Sequence, residues 1–338
     1  MKLPVVKFFR FSANFFGILL ITLVLLELCY RYHVVNFYKT ENLALNTKQD
    51  LENNNIDLMV FGDSFSATSK AINYVDMLRN NAKKTSILNF SVPGIGIRQV
   101  NTFASSKIKK HNPKVILYQV YVGNDLIDVD HLWSLEKFSV SRNLYWEASD
   151  YFLSLSYLNH KSTVFKPRIN SRTFTMAKDS FYVDFYDIRT KRFLNYKSSF
   201  FNDTFMLKEP FKSRYDDWLT YMHKFLETIP KDIKVYIVWI PHCTQVNEHY
   251  IDNFNTLGAT FNDLNKIQQS NSYPFFTSAK KDLSPYKNVI LLNPLEIFQF
   301  KDTLNSRLYF ENDPHINYKG NKILYEFLKT QIFPYATN

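Results

Sequence analysis

The chain has 338 residues, of which 46% are hydrophobic, so it can build a substantial core and is not a disordered chain. Its net charge of +10 is spread without long basic runs, and no nucleic-acid recognition motif is present, which disfavours nucleic acid as a partner. The two cysteines, Cys29 and Cys243, cannot cross-link a domain through a disulfide bond. No Cys/His cluster or repeated acidic pattern predicts a metal site or a cofactor.

The first predicted element is a membrane-spanning helix, FSANFFGILLITLVLLELCY, at residues 11–30. A run of about 20 apolar residues matches the ~30 Å core of a bilayer. The residues before it include three basic ones, Lys2, Lys7 and Arg10. Because basic residues favour the cytoplasmic side of a membrane, this charge distribution predicts a cytoplasmic segment at 1–10 and a periplasmic or extracellular location for the rest. A cleavable signal peptide is the alternative. Because ELCYRYHVV offers no small-residue cleavage site, an uncleaved anchor is favoured.

A polar stalk is predicted at residues 31–55, followed by a domain at 56–333. Five short apolar runs in that domain, bounded by polar or turn residues, are typical of buried parallel strands: 56–61, 86–92, 114–122, 234–240 and 288–293. Helical patterns are predicted at about 68–83, 98–111, 213–228, 248–271 and 318–332. Strands alternating with helices predict a three-layer α/β/α sandwich around a central parallel sheet.

The stretch at 126–212, between the third and fourth runs, is far longer than an ordinary crossover. It contains no glycine and many aromatic residues, as in FYVDFYDIRTKRFLNYKSSFF. We interpret it as an inserted subdomain or lid. Its aromatic residues are expected to form a small core of their own or, alternatively, a surface on which sugar rings stack.

Four short blocks follow the predicted strands or precede the last helix: GDS at 62–64, VPGIG at 92–96, GND at 123–125 and ENDPHINYKGN at 311–321. Ligands of open α/β sheets bind beyond the carboxyl ends of the strands, so these blocks are expected to meet at one site. The chain has only 7 glycines, and most of them fall in these blocks: Gly62, Gly94, Gly96, Gly123 and Gly320. This concentration indicates backbone that turns tightly or closely approaches a ligand.

The order of the four blocks resembles the SGNH (GDSL-type) hydrolase superfamily, whose marker residues are Ser, Gly, Asn and His. The resemblance covers roughly 56–125 and 234–333 and implies a flavodoxin-like topology with acyl-transfer chemistry. It implies a role for each marker: Ser64 as nucleophile, His315 as general base, and Gly94 and Asn124, together with the Ser64 N–H, as the oxyanion hole.

Two neighbouring residues compete as the acid that orients His315. The usual spacing of the family is Asp-x-x-His, which would place the acid at Asn312. Asp313 instead has the Asp-x-His spacing that some members use, including polysaccharide O-acetylation proteins. We assign Asp313 and keep Asn312 as the alternative. Asp63 and Asp125, beside the marker residues, are supporting candidates.

Gly96 in GIGIRQV and His242 in PHCTQ are candidates for substrate binding, because both follow predicted strands. GIGIRQV resembles a dinucleotide-binding loop but lacks its third glycine. A nucleophilic pair of His242 and Cys243 is disfavoured, because adjacent side chains on extended backbone point apart.

The sequence therefore predicts a membrane-anchored serine esterase that removes O-acetyl groups from a cell-envelope or exported glycan. The glycan follows from the resemblance, the anchor and the aromatic insertion, not from a specific motif. Two alternatives stay open. One is an O-acetyltransferase for an exported polysaccharide, working with a membrane acyl-donor protein; the other is a catalytically idle binding or assembly protein on the same scaffold.

Overall fold

The computed structural model describes residues 3–32, 34, 53, 55–67, 72–81, 85–129, 152, 154, 193–194, 197–269, 272–310 and 313–333. Contacts divide the chain into two units, Met1–Thr40 with Lys137–Arg168 and Glu41–Glu136 with Ile169–Asn338. Most of the stalk predicted at 31–55 and of the insertion predicted at 126–212 lies outside the described residues.

Helix α1 runs from Leu3 to Arg31 in the first unit. Its stretch Phe11–Cys29 has a mean hydropathy of 2.1, is only 6% buried, and is long and apolar enough to cross a membrane. A signal sequence near an N-terminus would meet the same test. Near the end of α1, the buried Glu27 carboxylate accepts hydrogen bonds from the backbone N–H and hydroxyl of Ser154, at 2.9 and 2.6 Å. The acidic group within this apolar helix therefore has a polar partner from the same unit.

A five-stranded parallel sheet forms the centre of the second unit. Its strands are β1 (Leu58–Phe61), β2 (Ile87–Asn89), β3 (Val115–Tyr121), β4 (Lys234–Ile240) and β5 (Val289–Leu292). The strand order is β2-β1-β3-β4-β5. This is the flavodoxin-like order, whose topological switch point lies between β1 and β3. The prediction of an α/β fold around a parallel sheet is confirmed.

Strands β1 to β4 are buried on both faces, whereas the edge strand β5 is partly exposed. Every residue of β1 and β2 is buried, and so is all of β3 and β4 apart from their first residues. Because successive side chains of a strand point to opposite faces, such runs require helices on both sides. The last residues of β3 and β4, Tyr121 and Ile240, pair with each other, whereas Phe61 at the end of β1 pairs with Tyr118, before the end of β3. Since all the strands are parallel, their carboxyl ends share one edge of the sheet. The loops that follow these strands therefore open at one edge.

Twelve helices that the structure describes in the second unit accompany the sheet: α2 (Tyr74–Asn81), α3 (Ile97–Asn101), α4 (Ala104–His111), α5 (Asp125–Asp128), α6 (Phe200–Met206), α7 (Phe211–Glu227), α8 (Cys243–Val246), α9 (Glu248–Thr256), α10 (Leu264–Ile267), α11 (Pro274–Asp282), α12 (Leu295–Lys301) and α13 (Tyr318–Ile332). Helix α13 packs against α2 and α12, whereas α7 packs against α3, α5 and α11. The helices around the sheet therefore form two contacting groups.

The helix expected at 68–83 begins at Tyr74, because Asn73 caps it. The Asn73 Oδ1 accepts the backbone N–H of Val75 at 2.9 Å, which satisfies one of the unpaired donors of a helix start. A cap of this kind ends the preceding turn and starts the helix at a defined residue.

An antiparallel hairpin of β6 (Tyr309–Phe310) and β7 (Asp313–Ile316) precedes α13. The apolar pattern did not predict it, because its second strand reads DPHI and has no run of apolar residues. The hairpin carries two of the candidate site residues, Asp313 and His315.

Candidate active site

The turn after β1 carries Ser64. A side chain at Gly62 would place its Cβ 2.5 Å from the Gln119 Oε1 and 2.9 Å from the Ser66 Oγ, so a larger residue would displace these two side chains. The next residue, Asp63, folds the chain back on itself: its Oδ1 accepts the Phe65 N–H at 2.9 Å, and its carbonyl accepts the N–H groups of Ser66 and Ala67. This is an Asx-type turn, and it holds Ser64 at the end of the strand.

Three buried amide side chains brace the same turn through hydrogen bonds. The Gln119 Oε1, from the middle of β3, accepts the Asp63 N–H at 3.1 Å and the Ser66 hydroxyl at 3.0 Å. The Asn89 and Asn73 Nδ2 atoms donate to the Ser66 carbonyl at 2.7 and 2.6 Å. The Gln119 Nε2 has no hydrogen-bond partner among the described residues, so only the oxygen of this amide contributes. The bonds tie the residues that flank Ser64 to β2 and β3, on both sides of β1.

The imidazole of His315 lies between Ser64 and Asp313. The Ser64 Oγ is 2.7 Å from the His315 Nε2. On the far side of the ring, the His315 Nδ1 contacts the Asp313 Oδ1, which also accepts the His315 backbone N–H at 2.8 Å. Since a carboxylate only accepts, Nδ1 carries the hydrogen and Nε2 is left to accept the Ser64 proton. Asn312, the alternative acid, lies outside the described residues.

The hairpin that carries His315 is held by the buried Asp302. Its Oδ2 accepts the Tyr250 hydroxyl at 2.7 Å and the Leu308 N–H at 2.9 Å, and its Oδ1 pairs with Arg307 at 2.8 Å. Asp302 has no exposed side-chain surface, so this ion pair is desolvated on the acidic side. These bonds tie the start of β6 to helix α9 and thereby position the histidine that follows on β7.

An aromatic stack supports the His315 ring. The Phe65 ring lies 4.6 Å from the His315 ring at an interplanar angle of 22°, and the Tyr121 ring lies 4.1 Å behind Phe65. Phe65 is buried and follows the nucleophile directly in the chain. The turn that presents Ser64 therefore also supplies the surface against which its partner rests.

Gly94 lies in a tight turn after β2. Its φ is +74°, and the Ile95 N–H donates to the Val92 carbonyl at 3.4 Å. Proline at the second position and a left-handed glycine at the third are the signature of a type II turn. The Val92 N–H donates to the Gly62 carbonyl at 3.1 Å, so this turn runs beside the one that holds Ser64.

Asn124 reaches the nucleophile turn from β3. Its Nδ2 donates one hydrogen to the Asp63 Oδ2 at 3.2 Å, and the second hydrogen stays available. Within the described part of the chain, the backbone N–H groups of Ser64 and Gly94 donate no hydrogen bond. Three potential donors therefore lie at the switch-point edge of the sheet.

Accessibility sets the four marker residues apart from their neighbours. Asp63, Phe65 and Asp125 are buried. The four markers are all partly exposed: Ser64, Gly94, Asn124 and His315. The groups with chemistry to perform are thus the ones that a ligand can reach.

Two buried carboxyl groups, Asp63 and Asp125, lie next to the marker residues. Burial raises the pKa of Asp63, while the Phe65 N–H and the charge of His315 act in the opposite direction. Burial, followed by the negative charge of Asp63, raises the pKa of Asp125 well above its ordinary value. Asp125 starts helix α5 and accepts the Tyr121 N–H at 2.5 Å. Both supporting candidates therefore bond to backbone or side chains next to the marker residues.

The two candidates for substrate binding occupy other environments. The Gly96 N–H donates to the Gln99 Oε1 at 3.0 Å, and a Cβ on Gly96 would lie 3.1 Å from the Asp128 Cβ, so Gly96 starts helix α3 and packs against α5. His242 has no exposed surface, and its Nδ1 accepts the Thr244 N–H and hydroxyl at the start of α8. A side chain without exposed surface does not meet a substrate in this conformation, and the structure gives His242 a capping role instead.

The bracing residues Gln119, Asn89 and Asn73 were not among the candidates from sequence. A signal did exist for two of them, because Gln119 and Asn89 are polar residues inside apolar strand runs, VILYQVY and ILN. Buried amides of that kind are hydrogen-bonded, so they indicate a network within the sheet. Among the described residues, no group of three or more His, Cys, Asp or Glu side chains could hold a metal ion.

No family model and no curated protein matches this chain. Among solved structures, a GDSL-like lipase from Bacteroides thetaiotaomicron is 11% identical, with a TM-score of 0.38 over 88% of this chain and 97% of that chain. A catalytic mutant of an acetylxylan esterase from Geobacillus stearothermophilus is 10% identical, with a TM-score of 0.41 over 82% and 94% of the two chains. A likeness at these identities and TM-scores carries no argument about activity, which has to rest on the side chains of the site.

Proposed function

We propose that the protein is a serine enzyme of the esterase type that transfers an acyl group through Ser64. One observation carries the proposal: the Ser64 Oγ lies 2.7 Å from the His315 Nε2, and the Nδ1 of the same ring contacts the Asp313 carboxylate. A serine hydroxyl is a weak nucleophile until a base takes its proton, and a base works best when a third group fixes its tautomer. These three side chains meet both requirements.

In the first half-reaction, the Ser64 Oγ forms a bond to the carbonyl carbon of an ester while its proton moves to the His315 Nε2. The carbonyl electron pair moves to oxygen and returns when the bond to the alcohol breaks. The departing alkoxide takes the proton from His315 and leaves as an alcohol. In the second half-reaction, an acceptor hydroxyl gives its proton to His315 and attacks the acyl-serine, and Ser64 leaves as the hydroxyl.

The oxyanion of each tetrahedral intermediate needs preorganised donors. The N–H groups of Ser64 and Gly94 and the second Nδ2 hydrogen of Asn124 are the donors that we assign to it. Their support is the proximity of the three turns and the absence of other acceptors for the two backbone groups among the described residues. Removing one such donor lowers the rate by about 10²–10³-fold.

The substrate class that we propose is an O-acetyl ester on a glycan of the cell envelope or on an exported glycan. Its supports are the apolar helix α1, the basic residues that precede the apolar stretch of that helix, and the aromatic composition of 126–212. The domain would then face the periplasm or the exterior. Protease treatment of intact cells and of spheroplasts tests this side: digestion of the domain in at least one of the two is expected, and protection in both until the inner membrane is lysed would contradict it.

The experiment for the function uses the full-length protein in detergent with 4-nitrophenyl acetate and an acetylated oligosaccharide. We expect release of acetate by the wild type and none by Ser64→Ala. An assay with a non-acetylated oligosaccharide acceptor separates hydrolysis from transfer. Acetylated sugar at the expense of free acetate would replace the esterase with an O-acetyltransferase that takes its acyl group from a membrane partner. If a folded wild type reacts under neither condition, the catalytically idle scaffold is favoured.

A further inference from the structure

The Asp63 carboxylate connects the nucleophile turn to Asn124. Only 3% of Asp63 is exposed, and its two oxygens have different partners. Oδ1 accepts the Phe65 N–H at 2.9 Å, whereas Oδ2 accepts the Asn124 Nδ2 at 3.2 Å. The first bond shapes the turn. The second bond links the turn to Asn124, in the loop after β3.

The bond between Asp63 and Asn124 determines which way the amide faces. An asparagine side chain has an NH₂ group and an oxygen that exchange places when the amide rotates by half a turn. A carboxylate only accepts hydrogen bonds, so Asn124 must present Nδ2 to it. The reversed amide would place two oxygens about 3.2 Å apart with no hydrogen between them. With Nδ2 held in this way, the amide keeps a second hydrogen that Asp63 does not use.

We infer that Asp63 is a positioning residue: it holds the Asn124 Nδ2 toward the oxyanion. This inference rests on the proposed function. A purely structural Asp63 would only shape the turn, and Asp63→Asn separates the two roles. The new amide keeps an oxygen for the Phe65 N–H but removes the charge and the acceptor for Asn124.

The kinetic test is a double-mutant cycle of Asp63→Asn and Asn124→Ala in the full-length protein, measured on 4-nitrophenyl acetate. We expect each change to lower kcat by roughly 10²-fold with a small effect on KM, as for loss of one oxyanion donor. The double variant should be no slower than the slower single variant, because both changes remove the same donor. Effects that multiply, or Asp63→Asn with a kcat within about threefold of the wild type, would overturn the inference.

A second readout does not depend on any activity. Asn124→Asp places two carboxyl groups against each other and should lower the urea midpoint of unfolding. Adding Asp63→Asn restores a donor–acceptor pair in reverse and should recover most of that loss. Activity should not return, because the carboxylate introduced at position 124 offers oxygen to the oxyanion. A double variant less stable than Asn124→Asp would overturn the pairing. If a folded wild type hydrolyses no ester, the proposed function fails, but this urea comparison still decides the pairing.

Discussion

The Ser64 Oγ and the His315 Nε2 lie 2.7 Å apart although 251 residues separate them in the chain. Two different structural elements, a turn and a hairpin, bring them together. Ser64 is fixed by an Asx-type turn at the end of β1, and His315 is fixed by a short hairpin outside the main sheet. The stability of each element and the chemistry of the pair can be tested separately.

Asp313→Asn is expected to lower kcat strongly, by about 10³–10⁴-fold, with the fold intact. An amide beside the Nδ1 cannot stabilise an imidazolium as a carboxylate does, and its NH₂ group favours the wrong tautomer of the ring. Steady-state kinetics on an acetyl ester, with circular dichroism as the control for folding, measure the effect. A kcat within threefold of the wild type would show that another group orients His315.

Gly94→Ala is expected to reduce both stability and activity. The φ of +74° costs a residue with a Cβ about 1–2 kcal/mol, and a relaxed turn would move the N–H that we assign to the oxyanion. Gly258→Ala is the matched control, since Gly258 has a φ of +93° and open space around its Cα. Urea unfolding should show similar losses for both variants, while kcat falls only in Gly94→Ala. Equal kcat values would remove Gly94 from the oxyanion hole.

Asp302→Ala is expected to lower the free energy of unfolding by about 3–5 kcal/mol, because it leaves Arg307 and two other donors without their buried acceptor. Activity should fall as well, since the hairpin that carries His315 loses its link to helix α9 through Asp302. Lys114→Ala removes a surface pair with Asp57 in which Lys114 is 77% exposed, and it should cost less than about 1 kcal/mol. Similar losses for the two variants, measured by urea unfolding, would contradict the role of Asp302.

His242 is expected to make stability depend on pH. Burial lowers the pKa of His242 to about 3, against about 6.5 when unfolded, so the unfolded chain binds a proton that the folded chain does not. Stability is therefore complete above pH ~6.5 and is lost as pH falls toward 3, by at most about 1.4 kcal/mol per pH unit.

His242→Asn should flatten this slope by close to one proton while keeping an acceptor for the Thr244 N–H. Phe254→Leu, which changes the packing against the same ring, should lower stability at every pH and keep the slope. Urea midpoints at several pH values measure both. Equal slopes in the wild type and His242→Asn would mean that His242 is not buried in its neutral form.

Much of the fold could be predicted from the sequence, because buried parallel strands are continuous apolar runs. All five runs contain a strand, and the sheet edge beyond them collects the markers. The hairpin could not be predicted, since DPHI has no apolar pattern and the start of the hairpin is tied to helix α9 through Asp302. The bracing amides were missed for a related reason: their partners lie in the turn after β1, and one sequence does not show which strands are neighbours.

The most direct test of the account is covalent labelling of the full-length protein with a fluorophosphonate, followed by peptide mapping. An activated serine attacks such a probe, whereas ordinary hydroxyl groups do not. We predict one label, on Ser64, which is absent in Ser64→Ala and slowed in His315→Ala. A folded wild type that stays unlabelled, or a label on another residue that persists in Ser64→Ala, would contradict the assignment of Ser64 as the nucleophile.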